Sequence, residues 1–517
     1  MSENRESPES ASTDAQHAHA RAREWGVALR NSAKMGGSLL ITWSVALLVK
    51  LRVPRYLGPI GQGHFGFADS FAAMFFAVLS LGIDVHVMKE VAVRPKYASE
   101  VVGGVFALRT LMSLVIFPVM AAVLWVTGRR GEILLAVLVF GASYHLTALN
   151  ATLSAVLQAN TRVGPAALAN IATKFVWGAA LLLGLHFKVS LPLLALPVLL
   201  GEALRTAILI PAARGVGLEF RIHAKPVKEA IVESVPYFIN GLALTMLGSL
   251  VMSVLEFVRH DEREVGWFAA VQNLSSLCML LSPLIFWVAV PLLARAHARS
   301  HEEGMEVFRR SVEALIVAIV PITVLVSAGS DFLVRIAFGA PFAPAATGLS
   351  ILSLVFVMTY TNMMLATNLT ILKQGWSVTT VSVGSVFVTS LLMLVLVPVG
   401  RRLLPEGGEC AGAASAMILS EACVVAALLS RYRRFPLDGR NIRVFVKTAA
   451  LAASVLLLNH QLLFLGPLRL IVDGVVYAGA ALAIGIVRVQ DVERVLRLVR
   501  HRREGGVPAE PAPGVEG

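Results

Sequence analysis

Charge is what this sequence has least of. Of its 517 residues only 15% are Asp, Glu, Lys or Arg, where a soluble domain averages about 25%. Cysteine is scarce as well. Three residues, Cys278, Cys410 and Cys423, make no disulfide framework and no metal-ligand spacing, so no metal site is expected. No polar run between apolar stretches exceeds roughly 20 residues, too short for a soluble catalytic domain. P-loop, metalloprotease and nucleophile-elbow motifs are all missing. Gly61-x-Gly63-x-x-Gly66 matches the dinucleotide pattern, but no strand precedes it and no βαβ unit surrounds it, so it predicts a tight turn between two helices. An enzyme and a nucleotide or other cofactor are therefore not expected.

What is present is apolar sequence. Hydrophobic residues make up 56% of the chain and the mean hydropathy is +0.73. Fourteen stretches are long enough to span a bilayer, near 33–56, 64–88, 101–127, 132–158, 164–186, 190–212, 230–258, 265–294, 310–329, 345–372, 376–398, 411–430, 442–465 and 468–488, each close to the ~20 residues that a hydrocarbon core requires. The expected fold is all-α, a polytopic membrane protein of about 14 transmembrane helices.

The net charge of +12 is a topology signal. With both termini in the cytoplasm, the cytoplasmic tails and loops hold 29 Lys and Arg and the opposite loops 11, with five inside spans. The positive-inside rule fixes that orientation, and the surplus suits anionic membrane lipid rather than nucleic acid. Residues 1–30 are polar, lack the apolar core of a signal peptide and are expected to be a disordered tail. Two cytoplasmic stretches, 295–310 and 489–503, read as amphipathic surface helices, and a polar tail closes the chain.

The chain repeats itself. Gly61-Gln-Gly-His-Phe-Gly-Phe-Ala-Asp69 opens span 2, and Glu264-Val-Gly-Trp-Phe-Ala-Ala-Val-Gln272 opens span 8. Leu157–Val163 is echoed by Leu372–Val378. Spans 1–6 and 7–12 thus read as parallel copies, since six is even. The expected organisation is a tail (1–30), two six-helix lobes (31–222 and 223–435) around a central cavity, two extra helices (436–490) and a cytoplasmic amphipathic helix with a disordered tail (491–517).

Polar residues inside spans fall on helical faces. Ser143, Thr147, Asn150, Ser154 and Gln158 do so in span 4. Asp69, Ser80 and Asp84 do so in span 2, Thr245, Ser249, Ser253 and Glu256 in span 7, and Thr359, Asn362, Thr370 and Lys373 in span 10. Such stripes serve either as glue between membrane helices or as the lining of a water-filled cavity. Their presence in both halves favours a cavity. Lys50, Arg52 and Arg55 cluster at the outer end of span 1, and Arg109, Lys174 and Arg205 lie in spans 3, 5 and 6. A charge at membrane depth costs a few kcal/mol and needs a partner or a function. Pairing with Asp69, Asp84, Glu202 or Glu233 is one account; an anionic substrate bound by Arg and Lys is the other. The expected substrate-binding residues are Arg52, Arg55, Arg109, Lys174, Asn150, Gln158, Asn240 and Asn362. Asp69, Asp84 and Glu256 are expected to couple transport to an ion.

Over residues 31–490 the chain resembles the polysaccharide-type flippases of the multidrug/oligosaccharidyl-lipid/polysaccharide exporter superfamily. The likeness rests on Arg55-Tyr-Leu-Gly-Pro59 with Gly61-x-Gly63, Leu81-Gly-Ile-Asp84, Lys89-Glu-Val-Ala92, Glu264-Val-Gly-Trp-Phe268, Pro291-Leu-Leu, Phe338-Gly-Ala-Pro-Phe342 and the segment 365–375, in that order and spacing. The resemblance implies two lobes working by alternating access. It also implies export of a lipid-linked oligosaccharide, on undecaprenyl pyrophosphate, across a bacterial inner membrane, with polysaccharide polymerase and export machinery as partners. It carries over no catalytic residue. A peptidoglycan-precursor flippase and a cation-coupled multidrug exporter are the alternatives; the surplus of Lys and Arg in spans argues against the latter.

Overall fold

The computed structural model describes residues 8–432 and 434–486. The expected amphipathic helix at 489–503 and the final tail lie outside the described residues. All regular structure among the described residues is helical. Twelve helices are long and apolar enough to cross a membrane. The stretch Thr42–Val93 takes in the larger part of the first expected span and all of the second. Expected span 8 is not among the twelve, because a 3₁₀ turn, Ser276–Leu281, divides it into α8 (Glu262–Ser275) and α9 (Ser282–Arg299).

Helix α1 runs from Pro8 to Phe76 and turns at Gly58, where φ is 67° and ψ 177°. A side chain is strained there, so glycine is needed. The helix begins well inside the segment expected to be a disordered tail; residues 11–30 are rich in Ala and Arg, both strong helix formers. A 3₁₀ turn, Ala77–Ser80, then interrupts span 2. Leu81 (φ 49°) and Gly82 (φ 65°) are left-handed before α2, Ile83–Val93, resumes. The Leu81-Gly-Ile-Asp84 motif is thus a break in mid-span.

The chain continues through α3 (Tyr97–Val126), α4 (Glu132–Ala159), α5 (Val163–His186), α6 (Leu191–Arg214) and α7 (Ala224–Val258). After α8 and α9 come α10 (His301–Ala328), α11 (Ser330–Phe338), α12 (Ala345–Ile371), α13 (Gly375–Leu403), α14 (Gly408–Leu429), α15 (Gly439–Gln461) and α16 (Arg469–Ala483). The expected amphipathic helix at 295–310 is two helices. Ser300 is extended, and its hydroxyl accepts the Glu303 N–H at 3.0 Å. That N-cap ends α9 and starts α10.

Two compact units result: residues 1–274, 334–348 and 375–420, and residues 275–333, 349–374 and 421–517. In the first, α4 packs on α6, α5 on α6, α1 on α5, and α7 on both α1 and α13. The two echoed motifs themselves meet. A Cβ on Gly63 lies 3.0 Å from the Gly266 nitrogen, and one on Gly266 lies 1.7 Å from the Pro59 carbonyl oxygen. In the second unit, α10 packs on α9, α15 and α16.

Candidate functional site

The break in span 2 frees carbonyls that a continuous helix would have satisfied. In a bilayer no water replaces the lost bonds. Arg109 of α3 supplies the donors. Its Nε bonds the Leu79 carbonyl at 2.7 Å and Nη2 the Ser80 carbonyl at 2.9 Å. Nη2 also faces both carboxylate oxygens of Asp84 at 3.3 Å, and Nη1 donates to the Ala148 carbonyl and to Thr152 Oγ1. The Thr152 hydroxyl in turn donates a hydrogen bond to Asp84 Oδ1 at 2.5 Å. All donors of the guanidinium are used and the side chain is 0% exposed. Arg109 therefore lines no cavity in this conformation. It holds the two ends of a broken helix to α4 and fixes Asp84.

A second group surrounds Asp69. The Tyr144 hydroxyl donates to Asp69 Oδ1 at 2.8 Å. Lys50 and Lys174 lie within charge–charge range of Asp69 and of each other, and Lys174 also senses Glu202 and Arg205. Lys174 is exposed, although its neighbours are interior charges of the first unit, and its Nζ sits 5.0 Å from the Trp177 ring centre.

Of the span 4 stripe, Asn150 and Ser154 bond to another helix, Ser154 Oγ by accepting from Arg205 Nη2 at 3.4 Å. Ser143, Thr147 and Ser154 donate to carbonyls of their own helix, the usual back-bonding of membrane hydroxyls. Asn150 Nδ2 donates to the Glu202 carbonyl oxygen at 3.0 Å and to Glu202 Oε2 at 2.9 Å. Its Oδ1 accepts from Thr206 at 2.9 Å. Arg205 stands 3.8 Å from Glu202 and 3.4 Å from Ser154 Oγ. Gln158 is half-buried at the end of α4.

Glu256, at the C-terminal end of α7, is 1% exposed and paired twice: with Arg129 Nε at 3.1 Å and Arg259 Nε at 2.8 Å. Arg129 also stacks on Phe257, 4.4 Å from its ring centre. Glu256 is thus the hub of an ion-pair cluster that joins α7 to the turn after α3. Arg52 and Arg55 are exposed; Arg52 lines a cavity of about 390 Å³ with Leu48, Tyr56, Leu182, Leu185 and His186. Asn240 is half-buried, with Oδ1 unbonded.

In the second unit Asn362 donates to the Glu421 carbonyl at 3.2 Å and to its carboxylate. Glu421 had no place in the polar stripes, yet it is the lone acid in the interior of an apolar run, 411–428, and that alone marks it. Toward the end of α12, His297 of α9 bonds Asn368 at 2.8 Å and Asn368 donates to the Tyr432 hydroxyl at 3.2 Å. Burial pushes the Tyr432 phenol up to about 12, so it keeps its proton and donates to the Leu365 carbonyl at 3.1 Å.

Solved structures share this architecture. A lipid II flippase MurJ in an inward closed conformation superposes with a TM-score of 0.67 at 14% identity, covering 86% of this chain and 97% of that one. An inward-facing multidrug resistance MATE family transporter of the MOP superfamily gives 0.59 at 13% identity, over 75% of this chain and 95% of that one. The Vibrio cholerae MATE transporter VcmN gives 0.53 at 13%, over 77% and 97%. The chain therefore has the polytopic helical fold of the MOP superfamily. A comparison with curated protein sequences gives no match. The family model for polysaccharide biosynthesis proteins matches residues 28–297, just over half of the chain, and the chain belongs to that family.

Proposed function

We propose that this protein flips a lipid-linked oligosaccharide across the bacterial inner membrane by alternating access between two six-span lobes, both termini being cytoplasmic. The observation that carries the proposal is the set of cations inside the first unit. Lys50, Lys174 and Arg205 stand around the acids Asp69 and Glu202. A surplus of positive charge at membrane depth is costly unless an anion uses it, and a pyrophosphate head is such an anion. The sugar hydroxyls of the cargo cost several kcal/mol each in hydrocarbon without a partner, so the head needs a polar path while the lipid tail stays in the bilayer. No bond is made or broken, so the process needs no catalytic residue.

The family match supports an oligosaccharide cargo over a peptidoglycan precursor, which would present the same pyrophosphate. Organic cations fit a cationic site poorly. The natural partners of such a flippase are the enzymes that polymerise and export the glycan. In a strain lacking the gene, the wild-type chain is expected to restore surface glycan, and Lys50→Ala/Lys174→Ala to restore little while inserting at normal level. Full glycan export by the double variant would overturn the proposal.

A further inference from the structure

Three motifs of the sequence take no part in the interior charge clusters, and they meet one another. They are Arg55-Tyr-Leu-Gly-Pro59, Glu264-Val-Gly-Trp-Phe268 and Phe338-Gly-Ala-Pro-Phe342. All three belong to the first unit. Gly266 packs on the Pro59 carbonyl, and a Cβ on Gly339 would stand 3.9 Å from Arg55 Nε. The Trp267 indole Nε1 donates to the Pro341 carbonyl at 3.0 Å. The loop between α11 and α12 is anchored by Phe338 and Phe342, each 1% exposed, with ring centres 5.5 Å apart.

Three arginines border this junction. Arg55 comes from α1. Arg263, in the first turn of α8, shares with Pro59 and Pro341 the lining of a cavity of about 420 Å³. Arg335 lies one turn before Gly339, whose N–H donates to the Arg335 carbonyl at 3.0 Å. All three side chains are exposed, and their guanidinium groups make no hydrogen bond or ion pair among the described residues. The acids nearby are engaged elsewhere. Glu264 accepts the Cys410 N–H at 2.8 Å, and Glu409 accepts the His260 N–H at 2.9 and 3.0 Å. Glu262 pairs with Arg259 at 3.3 Å, and Asp331, one turn before Arg335, pairs with Arg469. Asp261 Oδ1 accepts the backbone N–H of Arg263 at 2.8 Å.

Three cations from three helices repel one another across the contact that brings α1 against α8. On the proposed topology this end of the bundle faces outward, where Arg and Lys are depleted. An anion among them relieves the repulsion. Guanidinium groups bind phosphate bidentately, and cations at the ends of spans stand at the depth of lipid heads. We infer that Arg55, Arg263 and Arg335 form a site for a lipid-borne phosphate, which when bound holds α1 against α8 and the α11–α12 loop. An outer-leaflet phospholipid and the pyrophosphate head of the cargo after crossing offer the same chemistry. Only the second source rests on the flippase reading.

The test uses the purified full-length chain in detergent. The probes are sodium pyrophosphate, against sodium chloride at equal ionic strength, and short-chain phosphatidylglycerol, against a neutral diacylglycerol of the same chain length. A ligand that binds the folded chain raises its unfolding midpoint. The wild type is expected to rise with at least one probe, and amide hydrogen exchange to slow at 57–63 and 339–342. Arg55→Gln/Arg263→Gln/Arg335→Gln is expected to be at least as stable without a probe, since the repulsion is gone. It is expected to need about tenfold or more of the probe for the same rise. Arg55→Gln alone is expected to move in the same direction, and it decides the matter if the triple variant folds poorly. Arg214→Gln, at the far end of α6, is expected to respond as the wild type does. No rise above the controls in the wild type, an unchanged response in the triple variant, or an equal loss in Arg214→Gln overturns the inference. A response to phosphatidylglycerol identifies a phospholipid head, and a response to pyrophosphate alone identifies that of the cargo. Either leaves the flippase reading to stand or fall on surface glycan.

Discussion

Arg109 shows how far a single residue can be read. Its position inside an apolar span announced a function, and substrate binding was one of two accounts. Pairing with Asp84 was the other, and the structure provides it. What the sequence did not show was the break at Leu81–Gly82 that makes the arginine necessary, since a Leu-Gly step inside a span is common and costs little by itself. Arg109→Ala leaves the Leu79 and Ser80 carbonyls and the Asp84 carboxylate unpaired in a dry interior. Removing one partner of a buried ion pair costs about 3–5 kcal/mol, so the variant is expected to give little folded protein and a lower unfolding midpoint in detergent. Arg109→Lys, with three donors on one nitrogen, recovers only part. An unchanged midpoint in Arg109→Ala would return the residue to the list of substrate ligands. Lys174, exposed and free of such duties, is the better candidate for that role.

Between elements, the glycines carry the argument. Gly61 and Gly63 belong to one motif but do different work. A methyl group on Gly61 meets only the Leu57 side chain, at 3.1 Å, which can give way. On Gly63 it meets the Gly266 backbone at 3.0 Å, and on Gly266 the Pro59 carbonyl at 1.7 Å. Backbone cannot rotate aside, so α1 and α8 must separate. Gly61→Ala is therefore expected to be near neutral, Gly63→Ala intermediate and Gly266→Ala severe, in both unfolding midpoint and glycan export; equal effects at Gly61 and Gly266 would refute the packing. The echo between these motifs was legible from the sequence as similarity. That the two copies touch was not, because a repeat says which segments are alike and nothing about which meet. The interruption of span 8 was hidden for a related reason. Its hydropathy runs on through Ser275–Ser282, and hydropathy does not register a 3₁₀ turn.

Taken whole, the molecule is positively charged on the side its loops assign to the cytoplasm, and that asymmetry was readable from Lys and Arg positions alone. It predicts the topology that the flippase reading requires, because a lipid-linked glycan is loaded where its sugars are assembled and released on the other side. A reporter that works only outside the cytoplasm, fused after Arg503, is expected to be silent, and the same reporter inserted after Arg130 in the α3–α4 turn to be active. The opposite pattern would invert every assignment of inner and outer ends, including the placement of Glu256, Arg129 and Arg259 on the outer face. It would leave the repeat and its two Asn–Glu pairs untouched, since those depend on which helices pack together and not on which side they face.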